Sequence, residues 1–339
     1  MRHLYSVLIR LFGTLLPFIS ILNKKIKKWD GVRKNWDIEL KTKTLPQQKY
    51  IWFHCASAGE FEQARPLIRK IKQAHNHKYA IAVSFFSSSG FDLYVDSTEI
   101  DLLFYLPLDT PKNAQCLIEI LQPTYVFFIR YEIWWNLLHQ LNQNNIPTFL
   151  VNANAFQKRS FIYDWYIKQN YPLFTKIFYT HEIGNTKVEQ ALWNKKESSK
   201  KDEFVEAFCK GSFVLVAGSS WLKEETLLAK FYKNHKQHIP DLKIILAPHE
   251  YDEKKQAELE QAFNTKILLY TDLQINNSKT SDILFINQKG VLKFIYQYAD
   301  IAFIGGGFSG KLHNTLEAAV YEIPILFGPN TKHLKKQTN

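Results

Sequence analysis

The sequence predicts an α/β protein made of two doubly wound parallel-sheet domains. Three observations carry that expectation. Short apolar runs rich in Val, Ile, Phe and Tyr recur along the chain, and most are followed by a stretch of helical period. The connections between them are short, which favours parallel strands joined by crossover helices. The alternation breaks across a charged, glycine-poor stretch from Asn185 to Lys210 and restarts at Phe213. At 339 residues the chain has room for two domains, and a hydrophobic content of 46% excludes a disordered chain.

In the first half, strands are expected at 50–55, 79–85, 102–106, 124–129 and 147–151, with another near 175–180. Helices fit at about 61–75, 88–96, 112–121 and 132–143. In the second half, strands are expected at 213–217, 242–247, 266–270, 282–285, 300–304 and 323–327, and helices at 222–234, 251–263, 289–298 and 313–321. An interdomain segment in the later part of the charged stretch divides the chain into 36–205 and 206–339. Two such domains facing a cleft are an arrangement used by many nucleotide-sugar glycosyltransferases.

Residues 1–35 are read separately. Leu4 to Leu22 is strongly apolar, interrupted by Arg10, and is followed by Asn23-Lys-Lys-Ile-Lys-Lys-Trp29 and Arg33-Lys34. An apolar segment beside a basic cluster fits an anchor at an anionic, cytoplasmic membrane face, either spanning or lying in the interface. A soluble amphipathic helix packed on the domain is the alternative. The net charge of +11 points to an anionic partner: nucleic acid, a phospholipid surface or a phosphorylated substrate. No nucleic-acid motif with interleaved basic and aromatic residues is present, so nucleic acid is set aside. Cys55, Cys116 and Cys209 are scattered and odd in number, as expected of reduced thiols in a cytosolic setting.

The candidate site residues lie where strands end. Strand 50–55 runs into Ala56-Ser-Ala-Gly59 and then Glu60. The small residues, Ser57 and Gly59 among them, let a ligand approach the backbone. Glu60 is placed to take a proton from an incoming hydroxyl, or merely to cap the next helix. Glu132 and Arg130 follow strand 124–129, and Asn152, Lys158 and Arg159 follow strand 147–151. The three basic residues suit phosphates, or solvate a surface.

In the second half, strand 300–304 ends in Gly305-Gly-Gly-Phe-Ser-Gly310, followed by Lys311-Leu-His-Asn-Thr-Leu-Glu317. The glycines, Gly306 and Gly307 among them, are expected to let Phe308 and the backbone approach a ligand, and the following helix start to offer N–H groups to a phosphate. His313, Asn314 and Glu317 are spaced to share a helix face, with Glu317 placed to hold ribose hydroxyls. Gly218 and Ser219 end one strand of this half, and Pro248 and His249 end another. The glycine loop is neither a Walker A loop nor a dinucleotide fingerprint.

Taken in order, Trp52-Phe-His-Cys-Ala-Ser-Ala-Gly-Glu60, Tyr131-Glu-Ile-Trp-Trp-Asn136, Asn152-Ala-Asn154 with Arg159-Ser160, Ala217-Gly-Ser219, Pro248-His249 and Gly305-Gly-Gly-Phe308 with His313-Asn314 and Glu317 resemble the 3-deoxy-D-manno-octulosonic acid (Kdo) transferases of lipopolysaccharide synthesis. The resemblance implies a two-domain glycosyltransferase of the GT-B type, monotopic on the cytoplasmic face of the inner membrane. It implies inverting transfer of Kdo from CMP-Kdo to a lipid A precursor (lipid IVA), with no cofactor and no catalytic metal. In that scheme Glu60 is the general base. Ser57, Gly59, Arg130, Glu132, Asn152, Lys158 and Arg159 meet the acceptor. Gly218, Ser219, Pro248, His249, Gly306, Gly307, Phe308, His313, Asn314 and Glu317 hold the donor.

The chain departs from the family pattern at Pro248-His249-Glu250, at Arg130-Tyr131-Glu132, and after Asn330, where a truncated second domain is expected. The alternatives are another GT-B nucleotide-sugar transferase or epimerase, and a catalytically inactive membrane-bound protein that binds a CMP-sugar or lipid A. Product formation from CMP-Kdo that survives a chelator separates the first reading from the others. The number of Kdo residues added and the oligomeric state are not legible in the sequence.

Overall fold

A computed structural model describes residues 2–22, 24–75, 78–130, 132–153, 161–183, 186–198, 201–249 and 253–330. The chain divides into two compact units, Met1–Gln190 and Ala191–Asn339.

The first unit begins with three helices, α1 (Arg2–Leu22), α2 (Lys24–Gly31) and α3 (Trp36–Lys43). Then strands and helices alternate: β1 (Tyr50–Cys55), α4 (Ala58–His75), β2 (Ala80–Phe85), α5 (Ser88–Tyr94), β3 (Leu102–Tyr105), α6 (Pro111–Leu121), β4 (Pro123–Ile129), α7 (Trp135–Gln143), β5 (Thr148–Ala153), α8 (Phe161–Asn170) and β6 (Lys176–Tyr179). Helices α9 (Thr180–Ile183) and α10 (Thr186–Glu197) follow, the latter crossing the unit boundary. The six strands form one parallel sheet in the order β3-β2-β1-β4-β5-β6. Its order reverses between β1 and β4, which places a ligand crevice at their carboxyl ends.

Every residue of β1 is buried. Side chains alternate across a strand, so Trp52 packs into the cluster on one face with Phe104, Phe128 and Leu138, and Phe53 into the other with Phe61, Val83 and Phe85. Burying each such ring contributes about 1.5–3 kcal/mol, so the central strand is held from both sides. Helix α6 shows how local chemistry sets an element's ends. The Thr110 hydroxyl accepts from the Asn113 N–H, Pro111 opens the helix, and Gln122 closes it in the left-handed region.

The second unit contains α11 (Glu203–Cys209), β7 (Phe213–Ser220), α12 (Leu222–His235), β8 (Leu242–Pro248), α13 (Glu253–Phe263), β9 (Ile267–Leu269), β10 (Ile283–Phe285), α14 (Leu292–Ile295), β11 (Ile301–Ile304), α15 (Leu316–Ala319) and β12 (Ile325–Phe327). Its sheet is also parallel, in the order β12-β11-β7-β8-β10-β9, and its switch point lies between β7 and β11. Two clusters of buried side chains cover its two faces. This is the doubly wound α/β architecture expected from the alternation.

Three expectations are corrected. The unit boundary falls at Gln190/Ala191, not at 205/206, because α10 and α11 form where an interdomain segment was expected. Asp202 caps α11, and its Val205 and Phe208 are buried in the second unit's core. The N-terminal segment is not a separate body either. Tyr5 donates to Asp109 (2.8 Å), Ser6 donates to Asn136 (2.8 Å), and Leu16 is buried. Finally, the helix expected at 313–321 is the short α15, which starts only after His313 and Asn314.

Candidate functional site

In the first unit, the β1–α4 turn carries the sequence Ser57-Ala-Gly-Glu60, a capping-box pattern. Glu60 folds back so that its Oε2 accepts the Ala56 N–H at 2.6 Å, while its own N–H donates to the Ser57 carbonyl (3.1 Å). The capping reading therefore holds for one carboxylate oxygen. A cap alone would lower the carboxyl's pKa, since hydrogen bonds to the charged form and a helix N-terminus both favour ionisation. The Glu60 pKa is instead pushed up to about 7. Burial is the largest cause, and the charge of Glu132 is next. The Ala56 and Ser57 N–H groups and the Arg130 charge oppose them and do not win. A carboxyl with a midpoint near neutrality is matched to proton transfer.

Glu132 sits past the end of β4 and accepts the Trp134 Nε1–H at 2.9 Å. Arg130 starts that turn at φ +67°, its N–H donating to the Val151 carbonyl (2.8 Å). Asn152, on the neighbouring β5, is buried at φ +59°, and its side-chain amide donates to Thr186 at the start of α10. That bond brings in Lys187, which sequence reading missed. Its pKa is lowered, first by burial and then by the Arg130 charge. A left-handed non-glycine residue costs about 1–2 kcal/mol, so two at adjacent strand ends mark a backbone shaped for something other than stability.

A Cβ added at Gly59 would meet open space. Ser57, Gly59, Glu60, Arg130, Glu132 and Asn152 thus gather at the carboxyl ends of β1, β4 and β5, as the sequence predicts. Lys158 and Arg159 lie outside the described residues, as do Tyr131, Asn154, Ser160 and Glu250.

The second unit gathers its candidates at the ends of β7, β8 and β11. Ser219 takes φ +52°, and the His249 N–H donates to the Ser220 carbonyl (3.0 Å) just past Pro248. The Trp221 indole stacks on His249 with centroids 4.5 Å apart. Its Nε1–H donates to His313 Nε2 at 3.1 Å, and the two histidine rings are 4.6 Å apart. An indole only donates, so this bond assigns the lone pair to Nε2 of His313 and its proton to Nδ1. The His313 pKa is lowered, by burial first and by His249 second.

Asn314 works in two directions: its Oδ1 accepts the Leu316 N–H (3.1 Å), opening α15, and its Nδ2 donates to Glu317 (3.1 Å). Glu317 in turn raises the pKa of Tyr296, after burial. Phe308 is exposed. Trp221, Glu224 and Tyr296 are neighbours of these candidates that spacing did not single out.

The glycine loop is corrected in one respect. The space freed by its missing side chains is filled by protein. A Cβ at Gly305 would lie 2.0 Å from the Ser219 carbonyl oxygen, and one at Gly307 would lie 2.4 Å from the Gly328 nitrogen. The Gly306 N–H is also engaged, donating to the buried Glu224 carboxylate at 2.9 Å, and the His313 N–H donates to the Gly305 carbonyl. These donors serve the loop's own shape and not a phosphate. Among the described residues, no group of three or more His, Cys, Asp or Glu is arranged to hold a metal.

Two parallel doubly wound sheets with sites at their switch points define a GT-B-like α/β protein. In agreement, the fold matches UDP-GlcNAc 2-epimerase from Neisseria meningitidis (TM-score 0.54, 12% identity, 85% of each chain). It also matches the Methanocaldococcus jannaschii epimerase (TM-score 0.50, 13% identity, 85% of this chain and 87% of that one). Residues 33–198 match the family model described as 3-deoxy-D-manno-octulosonic-acid transferase, and the chain is a homologue of proteins named 3-deoxy-D-manno-octulosonic acid transferase.

It is 29% identical over 291 residues to the 3-deoxy-D-manno-octulosonic acid transferase of Aquifex aeolicus, covering 83% of this chain and 76% of that protein. The Haemophilus influenzae transferase of the same name is 27% identical over 317 residues, covering 85% and 72%. A bifunctional glycosyltransferase/methyltransferase of Fusobacterium nucleatum is 25% identical over 365 residues, covering 98% of this chain. The chain spans 54% of that protein's length.

Proposed function

We propose that the protein transfers Kdo from CMP-Kdo to a lipid A precursor, with inversion in a single displacement. The observation that carries this reading is Glu60: a carboxyl at the end of β1 whose pKa stands near 7, in a homologue of the Kdo transferases. Glu60 takes the proton from the acceptor hydroxyl as its oxygen attacks the anomeric carbon, and CMP departs from the opposite face. Arg130 meets the acceptor's anionic groups, joined by Lys158 and Arg159, and the Asn152 amide meets its hydroxyls.

On the donor side, Glu317, oriented by Asn314, accepts from the ribose. His249, His313 and Ser219 meet the base and phosphate. The reaction is expected to proceed in chelator.

The same reading places the protein on the cytoplasmic face of the inner membrane. Helix α1 supports this. It is apolar enough to cross a membrane, yet Tyr5, Ser6 and Leu16 hold it along the first unit, while Leu4, Val7, Leu8, Leu11, Leu15 and Phe18 are exposed. A helix held along its length by the body of the protein suits an interfacial position better than a spanning one.

The test is incubation of the full chain with CMP-Kdo and a lipid A precursor, with and without chelator, beside Glu60→Gln. Chelator-resistant product that disappears in the variant supports the reading. Near-normal turnover by Glu60→Gln overturns the base assignment, and CMP binding without any turnover favours a binding protein. Flotation of the chain with anionic vesicles, lost on replacing Leu8 and Leu11 by Asp, tests the membrane assignment.

A further inference from the structure

Trp221 joins the end of β7 to the start of α12, and three contacts hold its ring in place. Its backbone N–H donates to Glu224 Oε2 at 3.2 Å, which ties it to the first turn of α12. Its indole stacks on His249, and its Nε1–H donates to His313 Nε2 at 3.1 Å. The indole and the His313 ring are within 20° of parallel, so this bond joins them edge to edge. His249 covers both, with centroids 4.5 Å from the indole and 4.6 Å from His313.

With its Nε2 lone pair taken by the indole, His313 carries its proton on Nδ1. A Cβ added at Gly306 would lie 3.1 Å from His313 Cδ2, so that edge of the ring faces the glycine loop. Nδ1 is on the opposite edge, turned away from the loop, and it bonds to no protein group among the described residues. The nearby carboxylates are engaged elsewhere: Glu224 with the Gly306 and Trp221 N–H groups, and Glu317 with Asn314. A second proton on Nε2 would oppose the indole N–H, and burial and His249 also favour the neutral ring. A fixed, neutral donor without a protein acceptor, at the strand ends beside a switch point, is placed for a ligand oxygen.

We propose that Trp221 is a positioning residue: its indole N–H locks His313 in the Nδ1–H tautomer, so that Nδ1 donates a hydrogen bond to a phosphate oxygen of the ligand bound at the ends of β7, β8 and β11. This rests on the reading of that site as the one that takes the CMP part of the donor. Trp221 acts through His313 and needs no contact with the ligand itself.

The experiment reads the His313 ring directly, by nitrogen-15 NMR of the labelled full chain in detergent micelles, with the signal assigned by its loss in His313→Asn. Without ligand, Nδ1 is expected to carry the proton and Nε2 none. Adding CMP should move the Nδ1–H resonance, and adding cytidine, which lacks the phosphate, should not. Trp221→Phe keeps a ring against His249 and loses the N–H. It is expected to move the ring proton towards Nε2 and to weaken CMP binding in calorimetry by about fivefold, the worth of one hydrogen bond. The asparagine amide reaches where Nδ1 stood and has no second ring nitrogen to fix. In a His313→Asn chain, adding Trp221→Phe should therefore change CMP affinity by less than about twofold.

A proton on Nε2 of the unmutated chain overturns the proposal whatever the variants do, as does a Nδ1–H resonance that responds equally to CMP and cytidine. So does a loss of affinity in Trp221→Phe that persists undiminished in the His313→Asn chain, which would mark the indole as packing only. The expected tautomer in a chain that binds no CMP overturns the phosphate contact together with the donor-site reading. All the expected results in a chain that transfers no Kdo support the proposal and remove the transferase reading.

Discussion

The candidate site of the first unit is built from charge, and that of the second from rings and backbone. At the ends of β1 and β4, two carboxylates and a guanidinium sit close enough for their charges to move the Glu60 pKa. At the ends of β7, β8 and β11, an indole is stacked on one imidazole and bonded to another, and the Glu224 carboxylate is bonded to a backbone N–H of the glycine loop. The first arrangement is suited to moving a proton. The second is suited to holding a flat, anionic ligand with little rearrangement. On the proposed reading, the same fold carries a chemical end in one unit and a binding end in the other, set by its strand-end residues.

Glu60→Gln should separate the two ends most sharply. Turnover is expected to fall by about 10²–10⁴, the usual contribution of a positioned base, while CMP affinity measured by calorimetry stays within about twofold. Equal loss of both would erase the distinction.

Gly305→Ala attacks the other end. Its Cβ would overlap the Ser219 carbonyl, at 2.0 Å, and the strain is expected to cost about 1–3 kcal/mol, read as a lower urea midpoint. The Glu60 titration should not move.

Acid should pull the two ends in opposite senses. Glu60 has a folded pKa raised from 4.5 to about 7, so the folded state binds the proton more tightly than the unfolded one. Its contribution favours folding at low pH and is lost as pH rises through that window, by at most about 3 kcal/mol. Asp109, raised from 3.8 to about 6 by burial, acts in the same sense. Glu60→Gln is therefore expected to stabilise the chain at pH 8 by about 1–3 kcal/mol in thermal unfolding, an inactive protein more stable than its parent.

The smallest effect belongs to His313. Its folded pKa is lowered from 6.5, so the stability it contributes is present above 6.5 and lost as pH falls through the folded value. His313→Asn should flatten that acid-side loss and leave the Glu60 dependence untouched, as read by unfolding midpoints between pH 5 and pH 8.

Much of this was legible in the chain. Twelve strands were expected and twelve are described, because apolar runs bounded by turn residues have few other ways to bury themselves. Glu60, Glu132, Arg130 and Asn152 were legible as strand-end residues, since strand ends in such sheets open on the crevice. Lys187 and Glu224 were missed because each looks like one more charge on a helix start.

The glycine loop misled in a different way. Its composition says that a side chain cannot be tolerated, but not whether a ligand or the protein's own backbone occupies the space.

What the sequence settled by itself was local: the order of strands and helices, the turn that presents Glu60, and the residues available at each strand end. Periodicity and capping act over a few residues, so they are written into the chain directly. What only tertiary structure decided was which groups share an environment. Glu60 became a carboxyl with a midpoint near 7 because burial removed its water and register brought Glu132 beside it, and both depend on residues distant in the chain.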